Sequence, residues 1–252
     1  MEFRFADCKI VLNMPTMGAL MDEVTRRFQA GQGFALATIN LDHLVKLAAS
    51  PAFRKAYAGQ DLVVADGRPI VTLSRLAGQP VELMPGSDLI VPLCQLAASN
   101  HVRVALVGST DAALRDASAA LTAKVPGLEI TLRIAPSGVF DPSSDEAGDI
   151  LKQLAGAGIG LCFLALGAPK QEMLALRGRG EAPGVGFASI GAGLDFLGGH
   201  QRRAPKIARA LGVEWLWRAL SSPLRLGPRY ARCVVILPGQ VVQALRLRGN
   251  SR

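Results

Sequence analysis

Asp66 closes the apolar run Leu62-Val63-Val64-Ala65. An acid at the mouth of such a strand is partly desolvated, which raises its pKa and suits it to take a proton as a general base. The competing reading is a cap for the helix that follows Gly67. Thr38 and Asn40 close the run FALATI, and either they hydrogen-bond a sugar or phosphate or they do turn and N-cap duty. A third group lies in IGLCFLALGAPKQE, residues 159–172, where an apolar run stops at Gly167 and Pro169 opens a helical segment. Proline suits the first helical position, and the free N–H groups of that turn form an anion site. Lys170 adds a charge there and Gln171 a bidentate donor and acceptor, while Glu172 complements the helix dipole in the bland reading of the same residues. Gly108 and Ser109, after VALV, make a strand–helix junction of phosphate-binding type, although neither GxGxxG nor GxxxxGK[ST] is present.

Other chemistries lack their residues. His43, His101 and His200 have no metal-ligand spacing, and HExxH and Cys/His clusters are missing. There is no DxD-type acidic pair to hold a nucleotide-bound divalent ion. Neither a metal nor a cofactor is expected, and phosphate chemistry would rely on Lys and Arg to neutralise a leaving group. Ser189 has no partner histidine at a readable position, so a hydrolase triad is not expected.

Positioning these residues on one edge requires a parallel sheet. Apolar runs without polar alternation, at 34–39, 62–65, 102–108, 128–135, 159–167 and 184–191, are separated by helical patterns. Such runs are strands buried on both faces, and ligands of open parallel sheets sit outside the strands' carboxyl ends. The predicted fold is an α/β, Rossmann-like parallel sheet with flanking helices, plus a basic helical C-terminal appendage. The 252 residues divide softly into 1–100, 101–203 and 204–252. In the last piece, Pro238 and Gly239 interrupt an apolar stretch framed by arginines.

The net charge of +8 is uneven. Residues 201–252 hold eleven Lys or Arg against one acid, Glu214, so the basicity belongs to the tail. Its partner must be anionic, whether phospholipid, nucleic acid or a phosphorylated substrate. No window reaches the roughly 18 apolar residues of a membrane-spanning helix, and the cysteines Cys8, Cys94, Cys162 and Cys233 show no close spacing. The expectation is a reducing, cytoplasmic location, at most lying on a membrane through the tail.

The ordered motifs TINLDHLV (38–45), VVADGRPI (63–70), GSDL (86–89), VALVGS (104–109), GVF (138–140), LGAPKQE (166–172), SIGAGLDFLGG (189–199), RRAPKIARALGVEWLWR (202–218) and SPLRLGPRY (222–230) resemble the WecG/TagA/CpsF family, glycosyltransferase family 26. The resemblance covers nearly the whole chain. It implies a GT-E type fold and an inverting, metal-independent hexosyltransferase. Such an enzyme moves a sugar from a UDP-sugar donor to a polyprenyl-diphosphate-linked acceptor at the cytoplasmic membrane face, in surface polysaccharide synthesis. Residue by residue, it makes Asp66 the general base and puts Thr38 and Asn40 in the same pocket. Gln171 becomes a donor contact, and Arg203, Arg218, Arg225 and Arg229 stand where the tail closes over the diphosphate. In one departure, Met84 stands before Pro85-Gly86 where relatives commonly read arginine, which leaves Arg68, Arg75 or a tail arginine to compensate.

A nicotinamide-dependent dehydrogenase would want fingerprint glycines that are absent. Nucleic-acid binding is disfavoured because Trp215 and Trp217 lie in an amphipathic helix pattern. A non-catalytic membrane-docking subunit is the remaining alternative, and a homo-oligomer is compatible with every reading.

Overall fold

In the computed structural model, residues 1–201 and 223–250 are described, the side chains of 223–226 and 250 excepted. Arg203 and Arg218 therefore lie outside the described residues, as does the side chain of Arg225. A small antiparallel hairpin, β1 (Glu2–Arg4) and β2 (Lys9–Val11), opens the chain and buries Phe3 against Ile10. The main sheet follows, formed by β3 (Phe34–Ile39), β4 (Leu62–Ala65), β5 (Val104–Gly108), β6 (Ile130–Ile134), β7 (Leu161–Ala165) and β8 (Gly186–Ser189). Every neighbouring pair is parallel, in the order β4-β3-β8-β7-β5-β6.

This order puts β8, from late in the chain, between β3 and β7, so the first and second halves of the chain share one sheet. Successive strands leave the centre in opposite directions, β3 to β4 one way and β5 to β6 the other. A crevice at the carboxyl ends results. Apolar runs are buried on both faces in β3, β4, β5 and β8. β6 is the exception: ITLRI alternates between half-buried and exposed because it is an edge strand.

Ten helices complete the described fold: α1 (Met17–Gln29), α2 (Leu41–Ala49), α3 (Pro51–Ala58), α4 (Arg68–Leu76), α5 (Gly86–Ser99), α6 (Asp111–Lys124), α7 (Asp145–Gly156), α8 (Lys170–Glu181), α9 (Gly193–Leu197) and α10 (Pro223–Asn250). On one face, Leu36, Val64, Leu106 and Phe163 pack against Leu20 and Val24 of α1, Leu93 of α5 and Leu114 of α6. On the other, Ala37, Ile39 and Val63 meet Leu44, Phe53 and Ile70, while Val107, Leu164 and Phe187 meet Leu151 and Leu174. Period-two alternation therefore decides which face each strand residue serves.

α10 is the helical C-terminal segment expected from the sequence. It runs unbroken through Pro228 and Pro238. Both prolines are exposed, so the carbonyls they leave without an N–H partner face water. Its inner face, including Ala244 and Leu247, packs on α2 and α4. No helix among the described residues is long and apolar enough to cross a membrane.

Candidate functional site

Ile39 of β3 pairs in parallel register with Ala65 of β4, so Asn40 and Asp66 leave the sheet side by side. The Asp66 N–H donates to the Ile39 carbonyl over 2.7 Å, which carries the pairing one step beyond the strands. Asn40 Nδ2 donates to Asp66 Oδ2 over 3.1 Å, and Asn40 Oδ1 accepts the His43 N–H at 3.0 Å. Asn40 is thus both the N-cap of α2 and the holder of the Asp66 carboxylate, and its two readings from sequence are complementary. The cap position of α4 is Gly67, at φ 103°, and Asp66 stands half-buried just ahead of it. Thr38 is two residues deeper on the same face and only 4 % exposed, so it forms the floor of the site and not its wall.

Beneath this edge His43 is buried, with Nδ1 3.2 Å from the Tyr57 hydroxyl. Burial pushes its pKa down to about 4, so the ring is neutral and structural. It packs edge-on against Phe53 and Tyr57.

Across the sheet, Gly108 has φ 115°, and a Cβ there would fall 2.5 Å from the Ala165 carbonyl group. Only glycine lets β5 pass β7 this closely before the turn. Ser109 follows at φ 54°, donates its hydroxyl to Asp195 Oδ1, and is bonded through N–H to Ala165 O at 3.2 Å. Gln201 Nε2 holds the other Asp195 oxygen at 2.8 Å. A recess of about 170 Å³ lies beside this turn, lined by Ser109, Pro136, Ser137, Gly138, Phe140 and Lys170 among others. Val139, almost fully exposed, tips the loop above it.

The GAPKQE turn differs from its sequence reading in four respects. Pro169 is the N-cap of α8 and Lys170 the first helical residue, and the Ala168–Pro169 bond is cis. The Gln171 N–H already donates to Gly167 O at 3.2 Å, which removes one of the expected anion ligands. The Gln171 side chain is 2 % exposed with both ends engaged, Oε1 accepting from Gly191 N–H at 3.1 Å and Nε2 donating to Glu172 Oε1 at 2.9 Å. Gln171 ties two strand-end turns together and does not reach into the recess. Glu172, expected at a solvated helix start, is fully buried, and burial pushes its carboxyl up to about 7.

Arg229 also changes role. Its Nε lies 2.9 Å from Asp42 Oδ1, and Lys46 Nζ lies 2.9 Å from Asp42 Oδ2 and donates to Ala168 O at 3.0 Å. The Asp42 contacts are set by charge, without hydrogen-bond alignment at Arg229 Nε or Asp42 Oδ2. They fasten α10 to α2, and Lys46 continues to the turn before α8. In this arrangement Arg229 Nε neutralises Asp42.

Met84 is 0 % exposed and belongs to the core, with its N–H on Ala65 O at 2.8 Å. The side chain that faces out beside β4 is Leu83, 41 % exposed and bridged to Ala65. The question raised by Met84 therefore passes to Leu83, which is equally unable to neutralise phosphate. Of the proposed compensating bases, Arg68 opens α4 next to Asp66, whereas Arg75 lies seven residues on, about 10 Å along the helix axis.

No role at the site was expected of Lys46 or Asp42, Glu172 was read only as complementing the helix dipole, and Asp195 only as part of the motif SIGAGLDFLGG at 189–199. Among the described residues no group of three or more His, Cys, Asp or Glu side chains is placed to hold a metal ion. Residues 6–251 match the family model described as Glycosyl transferase WecG/TagA/CpsF family.

Proposed function

The chain belongs to the WecG/TagA/CpsF family of glycosyltransferases, and from that premise we propose an inverting transfer of a sugar from a UDP-sugar to a polyprenyl-diphosphate-linked acceptor, with Asp66 as the general base. The observation that carries the reading is the Asn40–Asp66 pair at the carboxyl edge of the sheet, where ligands of this architecture bind.

Asp66 takes the proton from the acceptor hydroxyl as that oxygen attacks the anomeric carbon from the face opposite the nucleotide. The bond from that carbon to the diphosphate oxygen breaks, and UDP leaves with the electron pair. Asn40 keeps the carboxylate turned toward the cleft. Lys170, which lines the recess with Ser109, offsets the charge that develops on the leaving diphosphate, together with arginines of the tail. The first hundred residues then serve the acceptor side and residues 101–203 the donor side.

The outer face of α10 supports a peripheral membrane location at the cytoplasmic side. Val234, Val235, Val242 and Leu245 are 63 %, 78 %, 48 % and 49 % exposed, with exposed Arg232, Arg246 and Arg248 among them. An apolar strip fringed by guanidinium groups suits the boundary between acyl chains and anionic headgroups. The deciding experiment is turnover of UDP-sugars with a lipid-diphosphate-linked acceptor, comparing the wild type with Asp66→Asn. Transfer by the wild type alone supports the reading, and donor binding without any transfer supports a non-catalytic docking subunit instead.

A further inference from the structure

The turn after β8 stands at the middle of the sheet edge. β8 is flanked by β3, whose end carries Asn40 beside Asp66, and by β7, whose end leads to Lys170. Gly191 therefore lies between the turn that carries the base and the turn that leads to the donor recess. Backbone contacts fix the residue before it: Ile190 N–H donates to Leu164 O at 3.1 Å, and a Cβ on Gly86 would come within 3.0 Å of Ile190 Cα. Gly191 itself, at φ 58°, is held by Gln171 Oε1 at 3.1 Å.

A carboxamide has nearly the same shape either way round, but reversal would put an NH2 against the Gly191 N–H. The group at the far end decides the orientation. Gln171 Nε2 donates to Glu172 Oε1 at 2.9 Å, and with an acceptor there the oxygen must face Gly191. Glu172 is placed for this by its surroundings. Its backbone carbonyl accepts from Gln60 Nε2, in the turn after α3, at 3.1 Å, and its Oε2 is buried without a hydrogen-bond partner. Against the burial that disfavours its charge, the Gln171 hydrogen bond and Lys46 of α2 favour the ionised form, and the Glu172 charge in turn raises the pKa of the buried Tyr57 hydroxyl. A buried acid with one oxygen so used is an unusual choice for a helix start unless that oxygen has a task.

We propose that Glu172 is a positioning residue for the transfer: its carboxyl sets the orientation of the Gln171 amide and, through it, the place of the Gly191 turn between the base and the donor recess. Its functional meaning rests on the transferase reading, whereas its effect on the turn does not.

The test follows the Gly191 amide by hydrogen exchange and the affinity for UDP by calorimetry, in full-length Glu172→Leu and Glu172→Gln. Leucine fills the volume without an acceptor, and glutamine restores one. In Glu172→Leu, Gly191 exchange should quicken by roughly five- to tenfold, the worth of one hydrogen bond, with a parallel loss of UDP affinity. Glu172→Gln should restore both to within about twofold of the wild type. Should Glu172→Leu not fold, Glu172→Met, of similar volume and likewise without a strong acceptor, replaces it and must give the same two changes. Wild-type Gly191 protection in the folded leucine variant, or a glutamine variant as impaired as the leucine one, overturns the proposal. If the wild type takes no UDP, the donor assignment falls, and the exchange rates alone still decide whether Glu172 holds the turn.

Discussion

Asn40 and Asp66 end adjacent parallel strands in register, and Asn40 Nδ2 donates to Asp66 Oδ2 over 3.1 Å while its Oδ1 caps α2. One side chain thus anchors both a helix and the proposed base. Two substitutions separate these duties. Asn40→Ala removes both and should cost about 1 kcal/mol of stability together with turnover. Asn40→Asp keeps an acceptor for the cap but sets a second carboxylate against Asp66. Like charges at this distance raise the pKa of one of them, so the acid limb of the rate profile should move to higher pH. A profile that stays in place would detach Asn40 from the base.

Burial holds the Glu172 carboxyl at about 7, above its ordinary value of 4.5. Between these values the folded state binds more proton than the unfolded chain, so this group's contribution to stability is full below pH 4.5 and declines as pH rises to 7. Glu172→Gln has no such titration. Its stability relative to the wild type should climb across that window and then level off, by on the order of 3 kcal/mol. Denaturant midpoints at pH 4.5 and 8 measure this, and parallel behaviour of the two proteins would contradict it.

Gly108→Ala should be severe for its size. The residue sits at φ 115°, and the added methyl would fall 2.5 Å from the Ala165 carbonyl. A loss of roughly 2 kcal/mol and weakened UDP binding are expected, because the turn that carries Ser109 must move. Gly138, with open space around its Cβ, supplies the control, and Gly138→Ala should leave stability near the wild type.

Val234 and Val235 point outward from α10. Replacing both with glutamate should leave thermal stability within about 0.5 kcal/mol and release the protein from vesicles containing anionic lipid, as read by co-sedimentation. Retained binding would move the membrane contact elsewhere. Deleting the tail is a poorer test, since Ala244 and Leu247 belong to the core.

The sheet was legible because FALATI, LVVA, VALVG and LCFLA are unbroken apolar runs, and only a strand covered on both faces is written that way. Asp66 and Asn40 were legible as well, since both stand where such runs stop. What the chain conceals depends on docking between distant segments. Whether Leu83 or Met84 faces the cleft is decided by a single bridge to Ala65, and a one-residue shift would exchange them. Glu172 reads as a charge complementing a helix dipole until Tyr57 of α3 and Gln60 of the turn after it pack against it. Arg229 reads as a free tail charge until α10 packs on α2 and brings it to Asp42. That one helix runs on through Pro238 depends on the solvent-facing position of the proline, which is not visible in the sequence.

The central claim is that the Asp66 carboxylate removes the acceptor proton, and Asp66→Asn tests it most directly. The asparagine keeps the shape and a contact to Asn40, so thermal stability and UDP affinity should stay near the wild type. Turnover with a lipid-diphosphate-linked acceptor should fall by roughly 100-fold or more, the usual worth of a positioned general base. Wild-type turnover in this variant would contradict the account.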